Sequence, residues 1–192
     1  MKGSNMNDKV KWITRGASAI ALIIIVQLVT KSLGQQLVTG SLVNLVLAVS
    51  TLLFGCGVGA AASVVSPFIA FLLGINAQIV VVPAIAVGNL TYVLVIALLV
   101  KFFKSDRFSA DRKVPGFIGN LIAVIVGALC KCGIQYLLIV KWIAPAFLPP
   151  KAQPLMAVNF GIIQFFTACI GGVLSCLIYP RISKGLEPGP EA

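Results

Sequence analysis

Ala128-Leu129-Cys130-Lys131-Cys132-Gly133-Ile134-Gln135-Tyr136 carries the one charge in an otherwise uncharged run from Val114 to Val140. A run that long and apolar reads as a membrane span. An ionisable side chain inside a span is expensive, and for that reason marks a candidate functional site. The rest of the chain reads as the scaffold that places this lysine.

Composition supports the membrane reading. Of the 192 residues, 59% are hydrophobic and 10% charged, with a mean hydropathy of +1.04. A soluble domain carries about 25% charged residues, so this chain has too few to clothe a water-facing surface. The length suits one compact bundle. The net charge of +10 comes from basic residues set between apolar runs. That pattern fits topology determinants beside a membrane and argues against a nucleic-acid partner.

Outward from Lys131, the spans can be counted. No charge occurs in the 69 residues between Lys31 and Lys101. As helix these would extend roughly 100 Å, against a hydrocarbon core of about 30 Å, so they hold about three spans. Breaks at Phe54-Gly55-Cys56-Gly57 and Gly74-Ile75-Asn76-Ala77 place these near 37–54, 56–73 and 78–100, with kinks expected at Ser66-Pro67 and Pro83. An uncleaved first helix over Ile13–Thr30 precedes them. After a loop from Lys101 to Lys113, further spans follow near 115–140 and 156–179. The expected fold is an all-α integral membrane bundle of six transmembrane helices over residues 1–183. A disordered cytoplasmic tail is expected over 184–192, which is Gly/Pro-rich.

With the N-terminus inside, Lys2, Lys9, Lys11, Arg15, Lys101, Lys104, Arg107, Arg112, Lys113, Arg181 and Lys184 fall on the inner side. Only Lys31, Lys141 and Lys151 fall outside. This positive-inside bias puts both termini in the cytosol. The third span, Gly55-Cys56-Gly57-Val58-Gly59-Ala60-Ala61-Ala62-Ser63, consists almost wholly of small residues. That composition allows close helix approach in lipid, and is read here as a central packing helix.

The spans contain no Asp, Glu or His. Carboxylate and imidazole bases, a zinc shell and an acidic proton relay are therefore missing, and no enzyme activity is expected. The five cysteines lie in apolar runs and read as small hydrophobes. Cys130 and Cys132, two residues apart on a helix, diverge too far to act as a metal clamp. No metal or cofactor is expected.

Recognition remains. Lys131 falls in the outer half of the fifth span, and Gln135 lies one turn further out on the same face. Asn159 and Gln164 reach matching depths on the sixth span, with Gln78 and Asn89 on the fourth. Gln35, Gln36 and Thr39 belong to the outer loop between the first two. One cation with several amides at a common depth suits a small anionic solute. The competing reading is that each amide serves interhelical hydrogen bonding and that Lys131 snorkels to the outer interface.

Several stretches resemble unassigned substrate-binding S components of energy-coupling factor (ECF) transporters. They are Val38-Thr39-Gly40-Ser41-Leu42-Val43-Asn44-Leu45, Ser66-Pro67-Phe68-Ile69-Ala70-Phe71-Leu72-Leu73-Gly74-Ile75, Gly88-Asn89, the Lys131 helix, and Gln164-Phe165-Phe166-Thr167-Ala168-Cys169-Ile170-Gly171-Gly172. Ala17 and Ala21 match the short AxxxA-like motif by which such subunits dock a transmembrane coupling subunit. The resemblance implies a bacterial plasma-membrane protein that binds a vitamin-like solute from outside. The coupling subunit and two cytoplasmic ATPases would supply the work. The motifs associated with thiamine, biotin or riboflavin types are missing, so the solute stays open, although Lys131 suggests a carboxylate or phosphate. The alternatives are a stand-alone small-solute carrier or channel, which would transport without partners or ATP, and a structural subunit with no ligand at all.

Overall fold

The structure is a computed structural model that describes residues 3–32, 34–75, 78–103 and 116–186. Among them every regular element is helical. The helices are α1 (Gly3–Lys31), α2 (Gln36–Phe54), α3 (Cys56–Leu72), α4 (Val82–Phe103), α5 (Gly116–Gln135), α6 (Ala144–Phe147), α7 (Gln153–Phe160) and α8 (Ile162–Leu186). A 3-10 turn over Ile79–Val81 leads into α4, and a π-helical stretch over Tyr136–Ile143 joins α5 to α6.

Among the described residues five segments are long and apolar enough to cross a membrane: Asn7–Lys31, Gln36–Phe54, Ile79–Phe103, Gly116–Phe147 and Gln153–Gly185. Cys56–Leu72, with 17 residues, is shorter and sits at the lower limit for a span. Large apolar side chains cover the outside of the bundle, among them Leu72, Leu98, Trp142, Phe147 and Ile162, each more than 60% exposed. Such a surface is suited to lipid and not to water. The chain therefore has the make-up of a multi-pass membrane protein.

Two of the expected breaks fall on glycines whose backbone other residues rarely adopt. Gly55 (φ 88°) reverses the chain between α2 and α3, and Gly74 (φ 67°) ends the turn after α3. In both the missing Cβ admits the left-handed region. Asn76 and Ala77, the rest of the second break, lie outside the described residues, as do Lys104, Arg107, Arg112 and Lys113 of the α4–α5 connection.

Several expectations need correction. The fifth span does not end at residue 140: helical structure runs on through the π segment to Phe147, so Lys141 sits on a helix and not in a loop. The sixth is not continuous, because Gly161 separates α7 from α8 (φ −100°, ψ −112°). Lys184 belongs to α8, which reaches Leu186; residues 187–192 lie outside the described part. Pro83 occupies the first turn of α4, where a proline costs no helical hydrogen bond, whereas Pro67 lies inside α3.

The small-residue helix α3 is also not the middle of the bundle. That place belongs to α2, which packs against α1, α3, α4 and α8. Its close approach to α8 depends on glycines at two levels. Gly40 lies against the Thr167 side chain, and Gly171 lies against the α2 backbone at Ser41 and Leu45. Around this contact Leu47, Val58, Tyr92, Ile96, Val124 and Ala168 form the fully buried core. Tyr92 ties α4 to α8 by donating its hydroxyl proton to the Ala168 carbonyl (3.1 Å).

Candidate functional site

Lys131 is fixed by the α5 residues around it. Ala123, Val124, Gly127 and Ala128 turn the same face of the helix into the bundle, and Gly127 allows close approach to Tyr92 and Ile96 of α4. The lysine therefore enters the interior and does not run out to the interface: it is 2% exposed. Its ammonium donates to Asn44 Oδ1 of α2 at 2.5 Å and lies 5.6 Å from the centroid of the Tyr92 ring. Asn44 Nδ2 in turn donates to Thr167 Oγ1 (3.3 Å), and the Thr167 hydroxyl reaches Gln164 Oε1 at 2.9 Å. A hydrogen-bonded chain thus links α5, α2 and α8 around one cation.

Among the described residues that cation has no counter-ion. Asp8 is the only carboxylate side chain among the described residues. It lies in the early turns of α1, near Trp12, which packs on Gly57 at the α3 N-terminus. This is the other end of the bundle. A buried ammonium with one amide oxygen and one ring face for company keeps an unmet electrostatic demand of several kcal/mol.

Lys131 forms part of the wall of a cavity of about 390 Å³. The cavity lies at the end of the bundle that holds the α1–α2 turn, the segment after α3, and α7. Polar lining comes from Asn44, Asn89, Gln164, Asn159, Gln78 and Gln27, with Gln36, Thr39 and Ser66. Val43, Pro67, Ile75, Val81, Ile85, Leu155, Met156 and Phe160 supply the apolar wall. The volume falls in the range of small-molecule sites, and so does the mixture of an apolar wall with a few polar groups.

Of the residues singled out in the sequence, Lys131, Asn89, Gln164, Asn159 and Gln78 come together here. Gln135 and Gln35 do not. Gln135 is fully buried, but it points at α4, where it fills the space left by Gly88 and donates to the Ile85 carbonyl (3.4 Å). Gln35 is exposed at the start of α2, and its neighbour Gln36 lines the cavity instead. Sequence reasoning passed over Asn44, Gln27 and Ser66 as site residues. The signal for Asn44 and Gln27 was the one used for Asn89, an amide inside an apolar run. Ala17 and Ala21 are both exposed on the outer side of α1.

Among the described residues no cluster of His, Cys, Asp or Glu could hold a metal ion. Cys132 is occupied with the Gly161 carbonyl (3.3 Å), a contact that joins α5 to the α7–α8 break.

The geometry makes Asn44→Asp an informative substitution. It places a carboxylate beside Lys131 with almost no change in shape, and so supplies the missing counter-ion from within the protein. The expected outcome is a folded protein, no less stable in a thermal melt, in which any anion that Lys131 holds in the cavity binds at least about tenfold more weakly.

Comparison of the chain with family models, with curated proteins and with solved structures returns no match.

Proposed function

We propose that the chain crosses a bacterial cell membrane six times with both termini in the cytosol. It acts there as the substrate-capture (S) subunit of an ECF-type importer. In this reading it takes a small, vitamin-like anionic solute from outside, and a transmembrane coupling subunit with two cytoplasmic ATPases drives uptake. The observation that carries the reading is the cavity with its single buried ammonium, which has amides around it and no carboxylate. Its position adds support. Among the described residues its end of the bundle holds Lys31, Lys141 and Lys151, whereas the opposite end holds Lys9, Lys11, Arg15, Lys101, Arg181 and Lys184. By the positive-inside rule the cavity then opens outward. The exposed Ala17 and Ala21 give α1 a small-residue stripe on which a partner helix could lie.

Orientation has a direct test. Cys56 is exposed beside the α2–α3 turn, at the end assigned to the cytosol. A variant that retains it as the only cysteine should resist a membrane-impermeant maleimide in intact cells and react in inverted vesicles. A single cysteine at position 151 should show the reverse. Labelling of Cys56 from outside would invert the topology.

Function is tested with proteoliposomes that contain this chain alone. Given the small-molecule extract of the source cells, they should retain solute on the protein without accumulating it in the lumen, with or without ATP. Accumulation in the lumen would identify a stand-alone carrier or channel instead.

A further inference from the structure

The cavity has two chemically distinct poles. On one side is Lys131 of α5, the only charged residue among the described residues of the lining. On the other side are two polar side chains of α1 and α3 whose oxygens have no partner, Gln27 Oε1 and Ser66 Oγ. Both residues are more than nine-tenths buried, at 7% and 1% exposure, and both line the cavity. Ser66 is notable because other buried hydroxyls here bond back to their own helix. Thr30 reaches the Val26 carbonyl, Ser41 that of Leu37, Thr51 that of Leu47 and Ser175 that of Gly172. Buried polar atoms left unpaired in this way cost about 1–3 kcal/mol each, and here they face an open volume. The poles stand on different helices: α1 and α3 pack on each other and on α2, and α3 also on α4, while α5 packs on α4 and α8. Apolar side chains such as Val43, Ile85 and Phe160 lie among them in the lining.

We infer that the solute is a bipolar monoanion. One carboxylate meets the Lys131 ammonium, and an N–H or O–H group at the far end donates to Gln27 and Ser66, with an apolar body between the two. This inference rests on the capture reading above and adds the charge and polarity of what is captured. The single charge follows from matching in a site of low dielectric. One ammonium balances one carboxylate, whereas a phosphate monoester at neutral pH, or a dicarboxylate, would bury a further negative charge with no cation to meet it. The donor follows from Gln27 Oε1, which can only accept; the Ser66 hydroxyl can accept from the same group or donate to it. The volume sets the size at that of an ordinary small metabolite.

The probes are the aqueous small-molecule extract of the source cells and, separately, the organic-soluble extract of their membranes. Each is incubated with the full-length protein in nanodiscs, and retained compounds are released and weighed by mass spectrometry before and after methyl esterification and acetylation. The expected result is a compound from the aqueous extract that gains one methyl ester and at least one acetyl group. Its retention should fall on the order of 30-fold in Lys131→Ala. In Gln27→Leu/Ser66→Ala it should fall about tenfold, while Gln135→Leu, outside the lining, should retain it as wild type does. Normal elution and melting of each variant shows that it is folded. A retained compound with two or more acidic groups or a phosphate overturns the charge assignment but leaves the capture reading standing. One with no acid overturns the charge assignment and the anionic solute of that reading together. A fatty acid from the organic extract, which has the one carboxylate but lacks the distal donor, overturns the second pole instead. Retention that is unchanged in the Gln27/Ser66 variant overturns the second pole. If wild-type protein retains nothing from either extract, the inference and the capture reading fall together.

Discussion

Lys131→Ala is expected to reduce solute affinity by roughly 2–5 kcal/mol, the usual cost of removing one partner from a buried charge pair, and to leave the amount of folded protein nearly unchanged. The two parts of this expectation have different causes. Affinity falls because the cavity loses the only cation among its described lining residues. Folding survives because the unliganded protein already holds that ammonium without a counter-ion, so its removal relieves a desolvation cost as it deletes one hydrogen bond to Asn44. Lys131→Met, which retains bulk without charge, should behave in the same way. Titration of the purified variants against the solute, with thermal melts alongside, checks both parts. Unchanged affinity would remove Lys131 from the site. A collapse of folded protein would assign it to the scaffold.

The second large effect belongs to the scaffold. A Cβ at Gly171 would lie 2.6 Å from the Leu45 backbone nitrogen and 2.8 Å from Asn44 Cβ, and nearer still to the Ser41 carbonyl. Backbone cannot move aside as a flexible side chain can, so α2 and α8 would have to separate. Overpacking of this kind costs about 1–3 kcal/mol or more. The gain of up to about 1 kcal/mol from replacing a helical glycine does not offset it. Gly171→Ala should therefore lower the melting temperature, and Gly171→Leu should give little monodisperse protein in detergent. The damage should reach the site as well, since the same crossing sets the Asn44–Thr167 bond. Gly133→Ala is the matched control. Nothing lies within 4 Å of the added carbon there, and the substitution should be neutral to slightly stabilising. Equal behaviour of the two variants would mean that the α2–α8 contact is not tight.

Features that depend on the chain in one dimension were legible in the sequence. Apolar run lengths located α2, α3 and α4 within a few residues but left the other helices seven to ten residues short at one end, and Gly55 and Gly74 marked two reversals because a backbone with positive φ excludes most side chains. Depth along a helix was legible too, which is why Lys131, Asn89, Gln164, Asn159 and Gln78 meet in one cavity. Azimuth was not. Gln135 shares a helix face with Lys131 one turn away, yet α4 offers Gly88 at that level, and the amide fills that space instead of the cavity. A rotation of one residue separates Gln35, which faces outward, from Gln36 in the lining. Small residues in α3 signalled close packing, but which helix stands in the middle depends on how many faces are buried. On α2 that burial includes polar positions, Ser41, Asn44, Ser50 and Thr51, which hydropathy alone does not distinguish. The break at Gly161 was hidden because the residues on both sides are equally apolar.

The central claim is that this chain captures a solute and leaves the work of transport to others. It is tested most directly by isolating the tagged protein from its native membrane and identifying the co-purifying subunits by mass spectrometry. The account predicts a transmembrane coupling protein together with two ATPases, in amounts comparable to the tagged chain. Recovery of the chain alone, in a detergent that preserves such complexes, would contradict it.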